Sequence, residues 1–428
     1  MRVDRRGLLT GALAAGAASL VRGEASAQDA KGAKGAKDTK ANDAPAPTGE
    51  DLDRAAARPV LKTDAFKSPV IIESIRLLKK DGEYFVHVRS KDGAEGVSLT
   101  NPPREQYLDK ILKQLIIPFF IGKDARNLEP LLWDFYRARD NYKLQGLALW
   151  SPHAWVEFAI LDMLGRIAQK PMGALLGDIV RKDVAIYVAS GKRNTTPQEE
   201  VEYLKSLVQQ SGAHAVKFRV GGRMSRNEDA SPGRTETLIP LVRKTLGDSI
   251  DMHADSNSSY DPPLAIKIGR MLEDVGAVYF EEPCPFDHLE DTKVVADALT
   301  IPVAGGEQEY SDWRFRWSIL NRGVDIVQPD LHYYGGMIRS IRVARMAELA
   351  KMSTTVHISG GFGFVYMLHF ASCVPDVGKY QEYKLGQEKY GHWFDPAITV
   401  KDGKMTIPSG PGVGIKDVAA LLKGVEEV

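Results

Sequence analysis

The sequence predicts an α/β protein, a parallel (β/α) barrel with a smaller α+β domain on its N-terminal side. Three observations point there. Asp255, Glu281 and Glu307 each close a short apolar run, and they follow one another at intervals of 26 residues, about the length of one strand, one helix and two loops. The rhythm continues on both sides, through Lys217 and Arg219 in the run at 215–220 and the run at 183–189 upstream, and through Asp330, His357 and Glu382 downstream. The stretches between these runs, at 240–246, 263–275, 289–299, 311–321 and 337–352, read as helices. Strands alternating with helices at this length argue a parallel barrel of eight strands between Asp183 and Glu382, whose site lies at the carboxyl ends of the strands.

The spacing also predicts a divalent metal. Three carboxylates at the ends of consecutive barrel strands converge on one point, and their mutual repulsion is costly without a cation between them.

The elements before the barrel have a different grammar. Residues 1–27 carry Arg5-Arg6, an apolar Ala/Gly/Leu stretch and Ala25-Ser26-Ala27, which resembles a twin-arginine export signal and predicts a periplasmic protein. An ordinary secretory signal with a chance arginine pair is the alternative. No cysteine follows the apolar stretch, so no lipid anchor is expected, and no other segment has the length and apolarity of a membrane span. Residues 28–62, rich in Ala, Lys, Asp, Gly and Pro, read as a disordered linker that buries no core. Residues 63–180 form the α+β domain. Runs at 70–78, 84–89 and 94–99 are strands, joined at Lys80-Asp81-Gly82 and Lys91-Asp92-Gly93 into an antiparallel meander. Helices follow at 104–115, 128–139 and 153–169, and in the last of these Val156, Ala159, Ile160, Met163, Leu164 and Ile167 recur at helical spacing. Residues 141–150 between them read either as a mobile loop over the barrel mouth or as a surface connection.

Composition excludes other classes. Formal net charge is zero and no long basic stripe occurs, so nucleic acid is not an expected partner. The two cysteines, Cys284 and Cys373, fall on different units and form no disulfide framework. Cys284 follows Glu282-Pro283 and reads as a small semi-buried side chain rather than a catalytic thiol.

Several stretches together resemble the enolase superfamily, in its mandelate racemase/muconate lactonizing enzyme-like group. They are residues 159–171 with Leu175-Leu176-Gly177, Lys217-Phe218-Arg219, Asp255-Ser256-Asn257, Glu281-Glu282-Pro283, Gly306-Glu307, Asp330 with Gly335-Gly336, His357, Glu382 and the segment 407–415. The resemblance covers residues 65–425. It implies a modified (β/α)7β TIM-type barrel at 181–399 with an α+β capping domain completed by about 400–428. It implies one Mg²⁺ per subunit, with Mn²⁺ as the alternative, on Asp255, Glu281 and Glu307, and the hard oxygen donors suit both ions. It further implies a small-molecule carboxylate substrate and assembly into a homo-oligomer.

Removing a proton next to a carboxylate requires stabilising a dianionic enediolate. His357 is the candidate acid and base, because imidazole titrates near working pH, and Asp330 at the preceding strand end is positioned to orient it. Lys217 and Arg219 face one side of their strand. The resemblance places Lys217 near the substrate carboxylate. It also puts a second lysine base where this chain has Arg219, which essentially cannot deprotonate. A racemase needs a base on each face of the carbon, whereas a dehydratase uses one histidine twice. The departure therefore favours syn dehydration of an acid sugar, with Arg219 binding a carboxylate or hydroxyl, stabilising the enediolate, or pairing with the metal carboxylates. Glu382 is implied to be a protonated acid that donates to the substrate carboxylate. Asn257 and His332 are candidate substrate contacts, and His253 is expected in the barrel core. A racemase or epimerase is the alternative enzyme. A non-catalytic secreted sugar-acid binding protein is the alternative of another class.

Overall fold

In the computed structural model, residues 46–428 are described. The signal read at 1–27 and the linker up to residue 45 lie outside the described residues. The capping sheet is built as its sequence pattern requires. Strands β1 (Ile72–Lys80), β2 (Glu83–Ser90) and β3 (Glu95–Leu99) form an antiparallel meander. The first turn is made by Asp81 and Gly82 at φ 51° and 81°, the left-handed pair that a tight hairpin needs. Helices α2 (Pro102–Ile111), α3 (Ile117–Phe120) and α4 (Leu128–Arg137) follow, and then α5 (Leu147–Ala168) and α6 (Met172–Leu176). Helix α5 is buried along almost its whole length, because it packs against the meander on one side and the barrel on the other. Gly96 permits that approach: a Cβ there would lie 2.2 Å from the Ala159 carbonyl oxygen.

Eight parallel strands make the barrel: β4 (Asp183–Ala189), β5 (Ala215–Arg219), β6 (Asp251–Asp255), β7 (Tyr279–Glu281), β8 (Val303–Gly305), β9 (Ile326–Val327), β10 (Ser353–Thr354) and β11 (Gln381–Tyr383). Strands β4 to β10 pair in chain order, and β11 pairs with β4. Seven helices cover them: α7 (Pro197–Ser211), α8 (Arg234–Leu246), α9 (Pro262–Asp274), α10 (Leu289–Ala298), α11 (Asp312–Leu320), α12 (Met337–Leu349) and α13 (Gly363–Cys373). The apolar runs are thus inner strands, wholly buried in β5 and β6.

Four expectations are corrected. Residues 46–62 are not a disordered linker. Helix α1 (Gly49–Ala57) starts at a capping box formed by Thr48 and Asp51 and buries Leu52 and Ala55, so a short amphipathic helix docks where composition alone reads as tether. Arg316 donates to Asp53, and the Glu129 carboxylate accepts from Val60 N and Leu61 N at 2.7 Å each. Residues 141–150 are not one loop, because α5 begins at Leu147 and Trp150 is buried against Arg339. Helix α8 begins at Arg234 rather than at Pro240. The C-terminal segment is divided: β12 (Val400–Lys401) and β13 (Lys404–Thr406) form a hairpin on β4 of the barrel, and only β14 (Glu426–Glu427) joins β1 of the capping sheet. Residues 407–415 contain no strand.

Candidate active site

Register brings the acidic residues together. Along the barrel Arg219 pairs with Asp255 and Asp255 pairs with Glu281, while Glu281 stands beside Ala304, three residues before Glu307. The three carboxylates are buried, and one oxygen from each lies within 4.8 Å of the others. Left-handed residues just beyond the strand ends, Asn257 at φ 42° and Glu282 at φ 42°, turn the chain sharply away after Asp255 and Glu281. Cations offset the repulsion. Lys217 Nζ is 2.8 Å from Glu281 Oε1, 3.8 Å from Asp255 Oδ2 and 3.1 Å from Glu382 Oε1. Arg219 pairs with Asp255 and donates Nε–H to the Ser190 carbonyl at 3.2 Å. Burial works against the charge on Lys217, but Glu281 and Glu382 outweigh it and keep the ammonium protonated.

The donor set fits a hard divalent cation. Three buried carboxylates offer oxygen alone, and Glu307 Oε2 is buried without a hydrogen bond among the described residues.

Across the mouth stands the imidazole. Asp330 and His357 form a parallel bridge between the ends of β9 and β10, and His357 Nδ1 lies 2.7 Å from Asp330 Oδ2. Asp330 Oδ1 accepts from His332 N at 2.8 Å, Tyr333 N at 3.0 Å and Ser359 Oγ at 3.2 Å. These donors and the ring keep the Asp330 carboxyl below its ordinary value despite burial, so Nδ1 carries the proton and Nε2 is left facing the carboxylates. Nε2 is 3.4 Å from Glu307 Oε2 and 4.0 Å from Glu382 Oε2. Burial and Lys384 disfavour the imidazolium, but Glu307, Glu382 and Asp330 favour it more, and the ring titrates above its ordinary value.

Two expectations fail here. Glu382 is not a protonated acid: burial raises its carboxyl, yet Lys217, Lys384 and His357 hold it well below the ordinary range. It accepts from Ile358 N at 2.9 Å. His332 does not face the pocket. It is buried beneath α5, where its Nδ1 accepts from Trp155 Nε1 at 3.1 Å and its ring meets Phe158 and Tyr366 edge-on. Asn257 is at the mouth, donating its backbone N–H to Asp255 Oδ1 at 2.7 Å and accepting from Arg193 Nη2 at 2.8 Å. His253 stacks on Tyr279 in the barrel core, with ring centroids 4.1 Å apart. Burial pushes the Cys284 thiol up to about 12, which leaves it inert at neutral pH.

Sequence reasoning missed Gln328, which donates to Glu281 Oε2 at 3.0 Å, and Lys384, which is 3.5 Å from Glu382. Each lies just beyond a strand and two residues from an acid of the site, so its nearness in sequence to Asp330 or Glu382 was the available signal. Arg193 had no comparable signal, because it sits in a loop.

Residues 199–417 match the enolase C-terminal domain-like family model, and residues 62–177 match that of the mandelate racemase/muconate lactonizing enzyme N-terminal domain. The chain is 29% identical to arabinonate dehydratase of Saccharolobus solfataricus over 72% of its own length and 79% of the relative's. A solved structure from Roseobacter denitrificans, described as that of a racemase by assignment, is 34% identical, with a TM-score of 0.76 over 84% of this chain and 100% of that one. A mandelate racemase/muconate lactonizing protein from Paracoccus denitrificans, solved in complex with magnesium, is 25% identical, with a TM-score of 0.76 over 84% of this chain and 99% of that one.

Proposed function

The chain belongs to the enolase superfamily, in its mandelate racemase/muconate lactonizing enzyme-like group, and from that premise we propose that it dehydrates an acid sugar to a 2-keto-3-deoxy acid by syn elimination. One observation carries the reading. Among the described residues at the mouth, one imidazole, His357, has a nitrogen free to face the carboxylates, and no second proton carrier stands at the end of β5. Lys217 there is held as an ammonium by Glu281 and Glu382, and Arg219 is a guanidinium that essentially cannot give up a proton.

The residues divide the work as follows. Asp255, Glu281 and Glu307 would hold Mg²⁺ or Mn²⁺, which supplies Lewis-acid stabilisation of negative charge on the substrate carboxylate. The magnesium complex of the Paracoccus relative supports that assignment. His357 Nε2 takes the α-proton while Asp330 fixes the ring and favours the imidazolium. The same nitrogen then delivers the proton to the departing β-hydroxyl on that face. The ammonium of Lys217 offsets charge developing on the substrate carboxylate, and Glu382 keeps that ammonium charged and in place. Arg219 pairs with Asp255 and tunes the charge of the triad. The arabinonate dehydratase relative supports the acid-sugar substrate class. Racemisation is disfavoured because it needs a carrier on the opposite face. A purely binding role gives no reason for a protonatable ring beside a metal-type triad. If the twin-arginine-like segment read at 1–27 acts as an export signal, the reaction under this proposal takes place in the periplasm.

The test is a screen of mono- and diacid sugars with the full chain and added Mg²⁺, read as keto-acid formation. Keto acid from at least one sugar supports the reading. Epimer without keto acid overturns it in favour of the racemase.

A further inference from the structure

The mouth carries two arginines whose charge the fold leaves uncompensated. Arg219 pairs with Asp255, and buried Arg234 lies 3.7 Å from Glu200 while donating to the carbonyls of Arg219 and Thr195. Arg193, in the loop after β4, and Arg223, in the loop after β5, have no carboxylate partner among the described residues. Both reach the same neutral acceptor instead: Asn257 Oδ1 takes Arg193 Nη2 at 2.8 Å and Arg223 Nη2 at 3.4 Å. Arg193 Nε also donates to the Gly221 carbonyl at 3.2 Å. Two guanidinium groups converging on one amide oxygen repel each other; Arg193 is half-buried and Arg223 exposed, so the cost of a missing counter-charge falls on Arg193. Burial, then Arg219, Arg223 and Arg234, bring Arg193 down to about 9.

Their position gives the charge a use. Asn257 also bonds to Asp255 through its backbone and side chain, at 2.7 and 3.3 Å, so the arginine pair lies one residue beyond the triad. It occupies the β4–β6 side of the barrel, across from His357 at the end of β10. A substrate held at the triad by one carboxylate, with its α-carbon toward His357, can extend its far end over this side.

We propose that Arg193 and Arg223 form a second anion subsite that receives the negatively charged distal end of the acid sugar, the carboxylate of a diacid or the phosphate of a phosphorylated monoacid. This rests on the acid-sugar reading above and narrows its substrate class.

The experiment uses the full chain with Mg²⁺ and three sugars of one stereochemical series: the six-carbon monoacid, its diacid and its 6-phosphate. Affinity is measured by calorimetry in the His357→Asn background, so that it does not depend on turnover, and kcat/KM is measured with His357 intact. The protein with native arginines is expected to prefer a charged-end sugar over the monoacid by at least about 10-fold. Arg193→Met and Arg223→Met should each reduce that preference about 10- to 100-fold, with Arg193→Lys restoring part of it and melting temperatures confirming the fold. The larger preference, for diacid or for phosphate, identifies the anion. Equal affinity for all three sugars, or a preference that survives both methionine variants, overturns the subsite. Keto acid formed from the monoacid and diacid with equal efficiency removes the subsite and leaves the dehydratase reading standing. A charged-end preference in binding, with no keto acid from any sugar, upholds the subsite and removes the dehydratase reading.

Discussion

Two buried polar regions of the molecule, the barrel mouth and the seam beneath α5, show opposite ways of handling charge. In the seam each ionisable side chain holds at least one dedicated hydrogen bond, although His153 Nε2, Glu157 Oε2 and His332 Nε2 are left without one among the described residues. His153 Nδ1 donates to the Gly335 carbonyl at 3.0 Å, and Glu157 accepts from Ile338 N at 3.1 Å. Asp162 accepts from Val97 N at 2.9 Å and Val413 N at 2.8 Å, and it pairs with Arg166. Burial drives the rings of His153 and His332 down to about 3 and about 4, and Glu157 up to about 7, so the histidines are neutral at working pH. In the mouth, three carboxylates face one another, two cations press in between them, and His357 is raised rather than lowered. The seam's histidines and carboxylates are fully buried, whereas the mouth keeps slight exposure at Glu307 and His357. What separates a reactive site from a structural seam is convergence of like charge without dedicated partners.

The largest effect expected from that contrast is at His357. His357→Asn should lower turnover between about 10²- and 10⁴-fold while the chain still unfolds cooperatively in urea. The seam counterpart, His332→Ala, should do the reverse, costing about 2–4 kcal/mol of stability with kcat within a few-fold. Loss of turnover in the second, measured beside the first, would erase the distinction. Asp330→Asn comes next. Removing the carboxylate lowers the ring's affinity for a proton, so the acid limb of kcat/KM should move to lower pH while the rate falls about 10- to 100-fold; an unmoved limb contradicts the pairing.

Metal should stabilise the mouth alone. Saturating Mg²⁺ at 100 times its Kd should add about 2.7 kcal/mol by mass action, seen as a raised melting temperature that Glu281→Gln abolishes. Acid should weaken the seam. The folded values of His153 and His332 lie below their unfolded ones, so their contribution is present above the ordinary imidazole value and is lost as pH falls. Each should cost on the order of 2 kcal/mol by pH 5, read from urea midpoints. His357, with a raised folded value, has the opposite sign: its contribution is present at low pH and is lost as pH rises through that value.

The same contrast explains what the sequence made legible. The triad and Asp330–His357 were readable because each closes a strand, and strand ends of a parallel barrel share one face. His332 was misread because the chain turns tightly after Asp330, with the backbone N–H groups of His332 and Tyr333 bonding back to Asp330 Oδ1, so strand alternation does not carry on to it. Its ring turns under Trp155 instead. The charge on Glu382 was not legible because it depends on Lys217 from β5 and on Lys384 beyond β11, which meet only in the closed barrel. Helix α1 was readable in principle from Thr48 and Asp51 ahead of Leu52 and Ala55, but the low-complexity stretch before it masked the capping box.

The central claim, a single proton carrier working one face of the substrate carbon, is tested most directly by running the reaction with Mg²⁺ in D₂O and analysing both product and recovered substrate. The account predicts a 2-keto-3-deoxy acid, recovered sugar of unchanged configuration, and neither product nor exchange with His357→Asn. Recovery of the inverted epimer carrying deuterium at the α-carbon, with no keto acid formed, would contradict it.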